Sequence, residues 1–342
     1  MSERIITFGE ATREAMLEEM RADERVFVYG EDIAKQGGIF GQFAGMKDEF
    51  PERVLDTPIS ETALVGAGVG AAIAGAKPVI DLHFADFIGI AMDEVLNQMA
   101  KAHYMFGGQA SMSLVLRAPD GLMKHGAAQH SQSLETWFTN IPGIRVVVPS
   151  TPANGKQLLK AAIEDPNPVI YFENKGLFPV KGDVPEDLPP IDISKAEVVR
   201  PGADVTLISY GLMLTKALEA AEVAQREHGV SVEVIDLRSI TPLDMPTIYD
   251  SVKKTGHLVI AHEAIKIGGV GGEIAARVAE NHFDYLRGPI LRVGARFTPL
   301  PFSPVMEDYV LAGVKEILGA VLAAAPADAT TKDDAAKAGE AA

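Results

Sequence analysis

Asp56-Thr57-Pro58-Ile59-Ser60-Glu61-Thr62-Ala63-Leu64-Val65-Gly66-Ala67-Gly68, continued to Leu82, is the stretch that decides the fold. It opens as a Pro-containing loop and passes into a Gly/Ala-rich helix expected over Thr62–Ala76. It closes on Pro78–Leu82, an apolar run of strand length. Outward from it the same alternation recurs. Further strands are expected at Val26–Tyr29, Met112–Arg117, Ile144–Val148 and Val169–Phe172, with helices at Thr7–Arg21, Asp86–Phe106 and Pro152–Glu164. Such alternation is the signature of parallel α/β units, because a crossover helix must return the chain to the same end of the sheet.

Around Lys175–Ile193 the pattern lapses into Gly, Pro and acidic residues, then restarts. The second half predicts strands at Val205–Ser209, Ser231–Ile235, Leu258–Ala261 and Ile290–Val293. Its helices are expected near Met213–His228, Gly271–His282 and Val305–Ala323. The organisation read from this is a first domain over 1–175, a linker over 176–193 and a second domain over 194–324. A low-complexity tail over 325–342 has too little to bury and is expected to be disordered.

The 342 residues exceed what one hydrophobic core usually serves. No cysteine is present, which removes disulfides, thiolate catalysis and cysteine-bound metal, and fits a cytoplasmic enzyme. The net charge of −16 disfavours binding to phosphate backbones, so no nucleic-acid partner is expected. It suits a basic protein partner, or serves solubility alone. No apolar run is long enough for a membrane span.

Two glycine clusters, Gly66-Ala67-Gly68-Val69-Gly70 and Gly268-Gly269-Val270-Gly271-Gly272, imitate phosphate cradles. The first follows a loop rather than a strand, so close helix packing is the preferred reading. Glu61 stands in the first helical turn behind Ser60, a residue able to cap it. An ordinary first-turn carboxylate favoured by the helix dipole is the plain reading. A carboxyl kept protonated by burial, so that it can share a proton with a ligand nitrogen, is the functional one. His125 and His130 lie five apart in a Gly/Ala loop, a setting for positioned acid–base chemistry; metal binding lacks a third ligand nearby. His262-Glu263, at the end of a strand, is assigned no role.

Read in order, Asp56-Thr57-Pro58-Ile59-Ser60-Glu61, Phe84-Ala85-Asp86-Phe87, Ala128-Gln129-His130-Ser131-Gln132 and Ile141-Pro142-Gly143 resemble the beta subunit of pyruvate, branched-chain 2-oxo acid and acetoin dehydrogenases. Thr241-Pro242-Leu243-Asp244 and Pro299-Leu300-Pro301-Phe302 extend the resemblance, which runs from about Ile5 to Leu322. It implies an α/β, transketolase-like fold: a pyrimidine-binding domain with a parallel sheet, followed by a C-terminal α/β domain. It also implies an alpha2-beta2 heterotetramer with thiamin diphosphate shared between alpha and beta subunits. Glu61 matches the glutamate that bonds the cofactor's aminopyrimidine ring. Ile59 and Phe87 match residues beside that ring. His130 matches the histidine that assists acyl transfer to the lipoyl group, and His125 is a candidate for contacting substrate. Ala162, Ile163, Asp165 and Asn167 match a loop that binds a structural potassium ion in relatives; a plain Pro-rich turn is the alternative. The family's Gly-Asp-Gly…Asn motif for diphosphate and magnesium is absent, as befits a beta subunit whose alpha partner holds that end.

The implied activity is oxidative decarboxylation of a 2-oxo acid, pyruvate first, with transfer of the acyl group to a lipoyl acyltransferase core. The acidic second domain is a place for a basic segment of that core to dock. Alternatives are an acetoin dehydrogenase beta subunit and a non-catalytic assembly subunit of the same fold.

Overall fold

The computed structural model describes residues 4–327, which divide into two compact α/β units. The first comprises residues up to Ser194 together with Arg238–Pro242, and the second comprises Lys195–Leu237 and the chain from Leu243 onward. Most of the tail expected over 325–342 lies outside the described residues.

The first unit is built on a seven-stranded sheet. From one edge to the other its strands are Ser239–Thr241, Arg145–Val147, Val169–Asn174, Val115–Asp120, Lys77–Asp81, Val26–Gly30 and Val54–Asp56. All neighbours are parallel except the first pair. The central strands are buried along their whole length, as the face-covering helices of a parallel sheet require. Helix Phe8–Ala22 is set by a capping box. The Thr7 hydroxyl accepts from the Glu10 N–H at 3.2 Å, and the Glu10 carboxylate accepts from the Thr7 N–H at 2.8 Å. This helix packs with helix Pro152–Glu164 over a core of Met16, Met20, Val28, Val79, Leu158, Leu159 and Tyr171.

The second unit carries a five-stranded sheet in the order Leu291–Ala295, Leu258–Ile265, Val205–Ser209, Val232–Asp236 and Glu197–Arg200, with the last pair antiparallel. Helices Met213–His228 and Val314–Ala324 cover one face. Their alanines, among them Ala217, Ala220 and Ala224, let the helix lie close to Val205, Leu207 and Val234.

Several expectations are corrected. The helix expected over Asp86–Phe106 is three pieces: a 3₁₀ turn Ala85–Gly89, a π-helical stretch Glu94–Met99 and a short helix Ala102–Met105. Wide-turn segments of this kind commonly mark a functional constraint. Val305–Ala323 is likewise two helices, Pro304–Val310 and Val314–Ala324, separated at Leu311–Gly313. Residues 176–193, expected as a linker, pack within the first unit: Lys181–Asp183 pairs antiparallel with Ile5–Thr7, and Val184 and Ile193 are buried.

Candidate functional site

The carboxyl ends of parallel strands are where loops of this architecture gather chemistry. In the first unit four such ends lie side by side: Val54–Asp56, Val26–Gly30, Lys77–Asp81 and Val115–Asp120. The loop after Val54–Asp56 is held at both ends. Asp56 Oδ1 accepts from the Ala34 N–H at 2.7 Å, and the Thr57 N–H donates to Gly30 O at 2.9 Å. Helix Glu61–Ile73 then begins with Glu61 itself, whose side chain is buried. Ser60 occupies the cap position, but its side chain makes no capping hydrogen bond, so the expected cap is not formed. The glycines behind Glu61 serve packing. A Cβ on Gly68 would fall 2.4 Å from Ile80 Cδ1 and 2.6 Å from the Tyr29 hydroxyl, which donates to Leu64 O at 2.6 Å.

Beside Glu61 stands a second acid that the sequence reading passed over. Glu31, one residue past the strand Val26–Gly30, is buried, and its Oε1 has no hydrogen-bond partner among the described residues. Burial pushes its pKa up, and the neighbouring charge of Glu61 adds to the effect. Asp81, fully buried on the next strand, is pushed up to about 6 by burial, against the opposing pull of Arg117. Arg117 itself is locked in a fully buried bidentate pair with Glu173, at 2.8 and 2.7 Å. The acidic edge therefore rests on a satisfied ionic floor.

His83 and Phe84 follow Asp81 directly. The ring of Phe84 is the hub of an aromatic group. It meets Phe87 edge-on with centroids 5.7 Å apart, and His130 edge-on at 5.1 Å; Phe87 meets His130 at 5.6 Å. Two segments distant in sequence are thus joined, and hydrogen bonds hold them. Asp86 Oδ1 accepts from the Gln132 N–H at 3.1 Å and from Gln132 Nε2 at 2.9 Å. Thr62 Oγ1 donates to Ile90 O at 3.0 Å, tying the helix of Glu61 to the segment after Phe87.

The other expected residues fall differently. Ile59 is 79% exposed, an apolar side chain left uncovered beside Glu61. His125 shares the loop of His130 but is exposed, and its φ of 62° is the left-handed conformation few residues adopt. Ala162, Ile163, Asp165 and Asn167 lie at the opposite, amino end of the strands. There Asp165 Oδ2 pairs with Arg145 at 2.8 Å, and its Oδ1 accepts from the Asn167 N–H at 2.8 Å. Among the described residues no three His, Asp or Glu side chains group as a metal site requires.

In the second unit, His262 shows what the second glycine cluster does. It is fully buried, and a Cβ on Gly269 would fall 2.4 Å from its ring. Its Nδ1 donates to Ala264 O at 3.0 Å, and burial lowers its pKa to about 4, so the ring is neutral. The ring packs under the glycines, and its Nε2 has no hydrogen-bond partner among the described residues.

Two α/β units in this order, the first with a buried glutamate opening a helix at the carboxyl edge of its sheet, fit the transketolase-type pair of domains that the resemblance implies. Comparison with known families agrees: the transketolase pyrimidine-binding domain matches residues 4–181 and the transketolase C-terminal domain matches residues 194–317. Among solved structures, the chain is similar to a split-gene transketolase described as an inactive beta4 tetramer. The TM-score is 0.77 at 25% identity, over 93% of this chain and 98% of that one. Among curated relatives, it is 45% identical to the pyruvate dehydrogenase E1 component subunit beta of Rhizobium meliloti, over 93% of this chain and 69% of the relative. It is also 45% identical to the acetoin:2,6-dichlorophenolindophenol oxidoreductase subunit beta of Bacillus subtilis, over 93% and 97%. The 2-oxoisovalerate dehydrogenase subunit beta of the same organism matches at 41%, over 93% and 98%. The chain belongs to the family of beta subunits of the thiamin-diphosphate-dependent components of 2-oxo acid and acetoin dehydrogenases. It is accordingly an oxidoreductase subunit.

Proposed function

We propose that this chain is the beta half of an alpha2-beta2 enzyme that oxidatively decarboxylates pyruvate and passes the acyl group to a lipoyl acyltransferase. The observation that carries the reading is the convergence of Glu61, the Phe84–Phe87–His130 group and the second acid Glu31 at one sheet edge.

That edge suits the aminopyrimidine half of thiamin diphosphate. Glu61 is buried at a helix start, Glu31 leaves a buried carboxylate oxygen without partner among the described residues, and Phe87 is a partly buried ring. When bound, the cofactor supplies a nucleophilic carbon and a store for electrons. The protein's share is orientation and proton handling. Glu61 would share a proton with the ring nitrogen, with the buried Glu31 close by. Ile59 and Phe87 would flank the ring and exclude water. His130, held edge-on by two phenylalanines, would deliver a proton during acyl transfer. Diphosphate and magnesium fall to the alpha subunit. The Ala162–Asn167 turn would offer carbonyls of the last helical turn to a potassium ion. A basic segment of the acyltransferase core would dock on the second unit.

Acetoin is the second reading, supported by the equal identity to a relative carrying that name, over 97% of the relative's length. The test is co-purification with the adjacent-gene product, then assay with thiamin diphosphate, magnesium and a dye acceptor. Pyruvate, 3-methyl-2-oxobutanoate and acetoin are offered in parallel. Turnover of pyruvate that needs both chains supports the proposal. A stable complex without turnover of any of the three would instead make this a non-catalytic assembly subunit.

A further inference from the structure

Between the strand Lys77–Asp81 and Phe84 the backbone does something unusual. The Phe84 N–H donates to Leu82 O at 2.8 Å, closing a three-residue turn around His83, whose φ is 69°. A γ-turn with positive φ at its centre is rare and strained even for glycine, and here the central residue carries an imidazole. Strain of this kind persists only where the surroundings enforce it, and it gathers at ligand-binding positions. The turn is enforced here by its neighbours: Leu82 and Phe84 are both buried, and the Leu82 N–H is tied to Arg117 O at 3.0 Å. Relaxing the turn would swing the ring away from the edge.

The ring it presents is partly buried and packs at 71° against Phe84, centroids 5.1 Å apart. Phe84 is the same side chain that carries His130 on its edge. The Nδ1 of His83 is buried and has no hydrogen-bond partner among the described residues. Its imidazole lies within electrostatic reach of Glu31, which is also close to Glu61, Asp81 and Asp32. Beside these four acids His83 brings an imidazole whose buried Nδ1, without a partner among the described residues, can donate a hydrogen bond to an anion.

We propose that His83 is a substrate-contacting residue that recognises the carboxylate of the 2-oxo acid and so sets specificity at the Glu61 edge. This rests on the proposed decarboxylase reading. A carboxylate substrate brought to this acid-lined edge needs a hydrogen-bond donor, and an imidazole held there supplies one. A substrate without a carboxylate has no use for it.

The test uses the alpha-beta enzyme and three beta chains: wild type, His83→Leu and His83→Gln. With pyruvate as probe, His83→Leu is expected to raise KM at least tenfold while kcat stays within threefold. His83→Gln, which keeps a side-chain donor, is expected to return KM to within threefold of wild type. A KM unchanged in His83→Leu overturns the proposal. So does an equal loss in both variants, since that would make the turn matter and not the donor. The wild-type assay separates this from the wider reading: an enzyme that turns over acetoin alone remains a family member but leaves His83 no carboxylate to bind, and also overturns it.

Discussion

At the carboxyl edge of its first sheet the chain assembles Glu31, Glu61, Asp81 and His83, with buried carboxylate oxygens unpartnered among the described residues and a strained turn. Toward the carboxyl end of Leu258–Ile265, in the second sheet, it places His262 instead. That residue is held neutral under Gly269, Gly271 and Gly294, each of which would clash with or crowd it if given a Cβ. Both edges belong to parallel α/β sheets, and each is followed by a helix whose glycines allow close approach. The difference is in what the glycines make room for. In the first unit Gly68 lets helix and strand close up so that Glu61 is delivered to the edge. In the second the space is filled by a side chain that has nowhere else to go. Motifs that look alike in sequence thus separate into a site and a core.

The largest effect expected from this contrast is at Glu61. Glu61→Gln preserves size and helix but cannot lend a proton, so turnover of the alpha-beta enzyme should fall by roughly 100-fold or more, the scale of acid–base catalysis. Subunit assembly, read by size-exclusion chromatography, should be unchanged. Wild-type turnover in this variant would remove Glu61 from the mechanism. His130→Ala comes next. Acyl transfer to lipoamide should drop roughly 100-fold while the decarboxylation half-reaction, followed with a dye acceptor, drops less than about tenfold. Equal losses in both assays would mean that His130 serves the shared pocket and not the transfer.

The second unit should respond in stability and not in chemistry. Gly269→Ala places a methyl 2.4 Å from the His262 ring. Overpacking of this sort costs about 1–3 kcal/mol. Urea unfolding should report that loss, and specific activity of the folded enzyme should stay at wild type. A loss of activity without a loss of stability would move function into the second unit.

The contrast was partly legible in the amino-acid sequence. Helix Met213–His228 and strand Val205–Ser209 have the bounds their periodicity predicts, because amphipathic faces and apolar runs are local signals. Glu61 and His130 stood out by their neighbours. Glu31 and His83 did not, since a lone acid or imidazole after an apolar run reads as the start of a loop. Only the sheet order brings those strand ends together. Strand Ser239–Thr241 escaped for a related reason: three residues show no alternation, and their partner Arg145–Val147 is nearly a hundred positions away. The segment from Ala85 to Met105 carries a helical composition, but its pitch is set by the π-helical turns of Glu94–Met99, which periodicity at 3.6 residues cannot see.

The smallest expected effect is a pair of opposed pH dependences. Asp81 has its pKa raised from 3.8 to about 6, so the folded state holds its proton more tightly than the unfolded chain. Its contribution is intact below pH 4 and is lost as pH rises through 6. His262 has its pKa lowered from 6.5 to about 4, so the folded state resists protonation. Its contribution is intact above pH 6.5 and is lost as pH falls toward 4. At about 1.4 kcal/mol per pKa unit each amounts to roughly 3 kcal/mol, and over the same window the two run in opposite directions. Difference measurements between each variant and the wild type separate the two slopes. Unfolding free energies measured from pH 4 to 7 should show His262→Gln gaining on wild type as pH falls. Asp81→Asn should gain on wild type as pH rises. Parallel curves for His262→Gln and wild type would mean that the imidazole is not held neutral, and the second edge would then carry a titratable group as exposed to function as those of the first.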